Sequence, residues 1–168
     1  MLKRDFIMVQ IEELGKVIAQ IIFNRNSNDG ARKNPELIQS VYTFLKLDND
    51  FLLNTPIDGI RTYLDGDDSC GLQRMELASK TLLEESFLLP EAQGKKLRAR
   101  AKELLEYIQR NDTTFSLERV ALLEEINNYS IDCGSVVGPS TTRRPFSLIR
   151  ILSMNTTRSS PVFWVRPW

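Results

Sequence analysis

The stretch of this chain best suited to chemistry is Asp65-Gly66-Asp67-Asp68-Ser69-Cys70-Gly71-Leu72-Gln73-Arg74-Met75-Glu76. Counted from Asp65, it sets oxygen donors at positions 1, 3 and 5, an apolar residue at 8 and a glutamate at 12, as in a calcium-binding helix-loop-helix. It departs from that pattern at position 6, where Cys70 stands in place of the glycine that the sharp turn needs, and no second such loop follows. The simpler reading is an acidic connection whose Asp67, Asp68 and Ser69 cap the next helix. On that reading the chain holds no metal and no cofactor.

A second candidate is the basic run Lys95, Lys96, Arg98, Arg100 and Lys102. Such a run can contact phosphates or an acidic partner, and Lys95, Arg98 and Lys102 are the candidate partner contacts. No stacking aromatic is interleaved, and Glu103 and Glu106 follow within a turn, where Lys102 and Glu106 can pair at i,i+4. A solvated helix face is the competing reading. Cys70 lies just before a helix start, where the dipole favours a thiolate, but no base or neighbouring cysteine accompanies it, so a spectator thiol is expected. The Glu-Glu pairs at 12/13, 84/85 and 124/125 sit side by side on helices. Their members point about 100° apart, so no pair converges on one metal.

Histidine is absent from the chain. The usual general base near neutral pH is therefore missing, with the partner of a Ser-His or Cys-His pair and the commonest nitrogen ligand of zinc, iron or copper. No catalytic residue is nominated, and the expectation is a protein that is not an enzyme.

The elements that would position these residues are helices. Ile7, Ile11, Leu14, Ile18 and Ile21 recur at spacings of four and three, predicting a helix over residues 3–25, and a stripe that long must be covered by the rest of the chain or by a second copy. A polar connection follows at 26–30. Asn34-Pro35 reads as cap and first helical residue of a helix reaching about 47, with Leu37, Ile38, Val41, Tyr42 and Leu45 inward. Thr55-Pro56 opens a short third helix closed by Asp65-Gly66. Helices over 72–87 and 91–110, separated by Leu89-Pro90, should form an antiparallel hairpin. Ser116 caps a sixth helix, with Phe115 stapling onto Val120 and the face continuing through Leu123 and Ile126. Leu82-Leu83-Glu84-Glu85 returns as Leu122-Leu123-Glu124-Glu125, an offset that suits stacked hairpins.

Residues 1–130 carry all eight lysines and all twelve glutamates, whereas residues 131–168 hold five arginines, one aspartate, four of the seven prolines and both tryptophans. The net charge is −4 for the first part and +4 for the second, zero over the whole chain. The expected organisation is a helical domain over 1–130 followed by a basic, Ser/Thr/Pro-rich tail of little order. Phe146–Leu152 and Val162–Trp168 of that tail could dock on a membrane surface or on single-stranded nucleic acid, the alternative to a docking role for the helices. With no net field and no segment apolar enough to span a bilayer, nucleic acid and membrane are the disfavoured partners and a cytoplasmic location is expected.

Asp5-Phe6-Ile7, Ile21-Ile22-Phe23, Leu47-Asp48-Asn49-Asp50-Phe51-Leu52, and the block from Arg74-Met75-Glu76-Leu77-Ala78 to Thr114-Phe115-Ser116-Leu117-Glu118-Arg119 carry a resemblance over residues 3–128. This part of the chain resembles a family of small all-helical gut-bacterial proteins, a domain of unknown function similar to tetratricopeptide-type hairpins. The resemblance implies a fold and no activity. The expectation is an all-α, tetratricopeptide-like right-handed array of about six helices, serving as a module for an unknown protein partner or for self-association.

Overall fold

The computed structural model describes residues 2–27, 30–66 and 69–132, with the backbone alone for 2–4 and 130–132. All lie in the first of the two units into which the chain divides, Met1–Val136. The tail segments 146–152 and 162–168 lie outside the described residues.

The described residues are all-α. They form α1 (Leu2–Arg25), a 3-10 turn (Gly30–Lys33), α2 (Asn34–Leu45), α3 (Asn49–Asn54), α4 (Ile57–Asp65), α5 (Gly71–Ser86), α6 (Glu91–Asn111) and α7 (Leu117–Asp132). No described helix is long and apolar enough to cross a membrane.

The stripe on α1 is buried at Ile11, Leu14, Ile18 and Ile21, covered by α2 and α5 from within the same chain. Its opposite face leaves Phe6, Val9 and Phe23 exposed. α5 is the hub. It packs against α1, α2, α4 and α6, ten of its sixteen residues are buried, and Gln73 alone of the sixteen is exposed to water. Three of those ten are hydroxyl residues that bond backward within their own helix. Ser79 Oγ donates to Met75 O at 2.8 Å, Thr81 Oγ1 to Leu77 O at 2.7 Å and Ser86 Oγ to Leu83 O at 2.5 Å. The hydroxyls thereby avoid the desolvation cost of an unpaired buried group.

A four-residue connection, 87–90, returns the chain antiparallel into α6, which buries Leu97, Ala101, Leu104 and Ile108 as the periodicity predicts. Here Gly94 lets the helices meet, since a Cβ on it would sit 2.5 Å from Ser86 O.

Several expectations about helix ends are corrected. Asn34 is not a cap. The 3-10 turn brings the chain in already helical, so the cap position falls on Lys33 in αR conformation, and the buried Asn34 side chain instead donates from Nδ2 to Ile21 O at 3.0 Å. The segment after α2 holds a helix that the sequence reading lacks, α3, capped by Asp48 Oδ1 accepting from Phe51 N at 2.8 Å. α5 is not capped by Ser69, which has a positive φ of 56°. Asp65, the last residue of α4, accepts from Gly71 N at 3.2 Å instead. Asp67 and Asp68 lie outside the described residues. Ser116 does cap α7, its Oγ accepting from Arg119 N at 3.2 Å, but Phe115 is 69 % exposed and no staple clamps it.

α2 ends on Lys46 at φ 56°, ψ 40°, whose N–H bonds back to Thr43 O while Leu47 N bonds to Tyr42 O. A lysine in this left-handed position is strained where glycine is not. Lys46→Gly is therefore expected to stabilise the fold by about 1 kcal/mol, read as a higher urea midpoint at unchanged slope. A lower midpoint would show that the lysine side chain holds this corner.

Candidate functional site

The Asp65–Glu76 loop commits its last carboxylate elsewhere. Glu76 Oε1 pairs with Lys80 Nζ at 3.0 Å and Oε2 with Arg119 Nη2 at 2.8 Å. Cys70 is buried with its Sγ 3.9 Å from Met8 Sδ. Among the described residues no three Asp, Glu or Cys side chains gather as metal ligands.

Arg119 is the clasp of α7. Its guanidinium is buried and binds Glu76 of α5, Asp112 Oδ2 at 2.7 Å and Gln109 Oε1 at 3.2 Å. Lys80 adds a second tie from α5, to Glu118 at 2.9 Å. Burial alone would raise the Glu76 carboxyl, but Lys80 and Arg119 outweigh it and hold it below the ordinary range. For Asp112 burial is likewise outweighed, by the Thr114 N–H and by Arg119.

The glutamate pairs diverge as helix geometry requires, yet the two copies of the Leu-Leu-Glu-Glu repeat converge. Glu85 turns to α2 and α3, accepting from Tyr42 Oη at 2.6 Å and Asn49 Nδ2 at 2.8 Å. Burial and that hydrogen bond hold the Tyr42 phenol well above its usual range. Glu84 turns the other way, to Arg25 at the end of α1, with 3.4 Å between Arg25 Nε and Glu84 Oε2. Arg25 Nη2 reaches Glu125 Oε1 at 3.2 Å. One glutamate of each copy therefore meets a cation from α1, a convergence across 100 residues with no local signal.

Aromatic rings complete this cluster. The Arg25 guanidinium lies 4.1 Å from the centre of the Phe87 ring, and Phe87 is tilted against Tyr129 at 5.3 Å. Arg98 lies 5.9 Å from the first ring and 5.8 Å from the second. Such cation–ring contacts add about 0.5–2 kcal/mol each, more when shielded from water. Glu84 is only 3 % exposed, and Glu84 Oε2 and Arg25 Nη1 are buried without a hydrogen bond among the described residues. Burial, reinforced by the charge of Glu125 and opposed by Arg25, pushes the Glu84 carboxyl up to about 7.

Beside this cluster a cleft of about 360 Å³ opens between α6 and α7. One wall carries Glu91, Lys95, Arg98, Ala99, Lys102, Glu103 and Glu106, the other Ile126 and Tyr129. All three candidate partner contacts line it. The reading of the basic run as one solvated face is corrected at two positions. Arg98 is 8 % exposed and donates from Nη2 to Glu91 Oε1. Arg100 points away from the cleft, donating from Nε to Leu52 O at 2.8 Å and from Nη2 to Thr55 O, so that it holds the carbonyl end of α3 against α6. Lys102 meets Glu106 at 3.8 Å, the i,i+4 pair expected. The aromatic wall was beyond sequence reasoning, because Tyr129 stands where the helical pattern fades into the tail.

No protein-family model, curated protein or solved structure matches the chain.

Proposed function

We propose that the chain is a non-enzymatic helical interaction module which takes a protein partner in the cleft between α6 and α7. The observation that carries this reading is the cleft itself, where Lys95, Arg98 and Lys102 face Ile126 and Tyr129. Ile126 is buried, so the accessible part of that wall is the half-buried Tyr129 ring, and an aromatic ring opposite polar groups able to fix orientation is a usual makeup of a recognition site.

Two further features favour docking over chemistry. Glu91, Glu103 and Glu106 are each paired with a basic residue, and Glu84, the carboxyl driven toward neutrality, does not line the cleft. A tetratricopeptide-like stacking is part of the proposal. It is supported by α5 packing on both members of the preceding pair, α1 and α2, as well as on its own partner α6.

The test places a photo-crosslinking amino acid at Ala99, on the cleft wall, and at Gln39, exposed on α2, in cells making the chain. A discrete adduct at Ala99 that Gln39 does not give is expected, and adducts identical at both positions, or none at Ala99, would overturn the reading.

A further inference from the structure

We infer that the occupant of the α6/α7 cleft is an acidic segment of a partner protein bearing a large apolar side chain, an assignment that rests on the docking role proposed above. The charges of the cleft are unevenly matched. Glu91 is engaged by Arg98, Glu103 by Arg100 at 2.7 Å from outside the cleft, and Glu106 by Lys102. Lys95 is exposed and forms no ion pair among the described residues. The carboxylates are thus matched and a positive charge is left over.

Position strengthens this surplus. Lys95, Arg98 and Lys102 follow one another at i, i+3 and i+7, so they stack along one face of α6 over about 10 Å. Acidic side chains on one side of a partner helix or strand match such a row. At its centre the Arg98 guanidinium is held in place by burial and by Glu91 through Nη2, while Nε and Nη1 have no acceptor among the described residues. A fixed guanidinium with donors to spare is suited to a carboxylate, because its geometry is set before the ligand arrives.

The opposite wall supplies the second requirement. Ile126 is fully buried behind this wall, so the surface offered is the ring of Tyr129, half-buried and braced by Phe87, and an incoming apolar side chain meets a rigid partner. The chain as a whole is neutral, and charges more than about 8 Å apart are largely screened at physiological salt. The local row therefore decides the sign of the partner.

The experiment selects random displayed peptides on the full chain and measures the winners against native protein, Lys95→Glu and Lys102→Glu. Lys95 is exposed and the Lys102 side chain is half-buried, and melting curves confirm that the variants fold. The expected winners carry net negative charge with at least one aromatic or long aliphatic residue, and bind each variant about tenfold more weakly, with the difference shrinking at high salt. Winners that are neutral or basic yet lost in the variants would overturn this assignment and leave the docking role standing. Winners that bind the variants as well as the native chain, or no winners, would remove both. A single-stranded oligonucleotide or an anionic lipid vesicle that displaces the winners as effectively as an excess of the same peptide would also overturn it, since the row would then be reading polyanions in general.

Discussion

Replacing Arg119 with methionine is expected to destabilise the chain by about 3 kcal/mol, the size of loss seen when one partner is removed from a buried ion pair. Its guanidinium is 2 % exposed and is shared between Glu76, Asp112 and Gln109, three groups from α5, α6 and the turn before α7. Among the described side chains the apolar hold on α7 is modest, with Leu122 and Ile126 as its buried hydrophobic residues. Methionine matches the arginine stem but removes the cation that Glu76 and Asp112 share. Lys80 still reaches Glu76, which limits the damage. If the loss comes from stranded charge, adding Glu76→Gln to Arg119→Met should recover part of it, and urea unfolding of the two variants measures this. A loss below about 0.5 kcal/mol would place Arg119 among ordinary surface pairs and show that α7 is held by its packing and its other ion pairs.

The second large effect is a dependence of stability on pH set by Glu84. Its carboxyl titrates near 7 in the folded chain against about 4.5 when unfolded, so the folded state binds this proton more tightly. The contribution is most favourable below the unfolded value and is lost as pH rises through 7, a span of about 3 kcal/mol. Glu76 and Asp112 act in the opposite sense. Their carboxyls are held below the ordinary range, so their contribution is present above the unfolded values and is lost as pH falls through the folded ones. Stability should therefore peak on the acid side of neutrality and fall away toward both ends. Glu84→Gln should abolish the fall between about pH 5 and 8 while leaving the acid limb in place. Thermal melting across that range, in native and variant protein, reads both limbs; equal slopes for the two would refute the role of Glu84.

How much of this was legible depends on the distance over which each feature is encoded. The stripes of α1, α2, α5 and α6 repeat every three to four residues, and Ile11, Leu14, Ile18 and Ile21 are buried as that period requires. The cap at Ser116 is equally local and stands. Asn34 misled because the same Asn-Pro pair opens a helix from a loop but cannot do so when a 3-10 turn has already wound the chain. α3 escaped because six residues are too few to display a period. At the candidate site, Lys95, Arg98 and Lys102 were visible as charge, but whether a cation stands in water or under a ring is decided by α7 and by Phe87. The meeting of Glu84, Glu125 and Arg25 belongs to the tertiary fold alone.

The inward-turned hydroxyls of α5 have a mechanical consequence. Because Ser79, Thr81 and Ser86 bond within their own helix, they ask no bond of the surrounding helices, which at these three positions meet something close to smooth hydrocarbon. Such a surface fixes spacing but resists sliding poorly. Axial alignment is left to polar and steric pegs: the Gly94 notch against Ser86, Glu85 gripping Tyr42 and Asn49, Arg25 spanning to the two glutamates, and the Arg119 and Lys80 ties to α7. Small shifts of one helix along another are thus governed at these points and not by the bulk of the core.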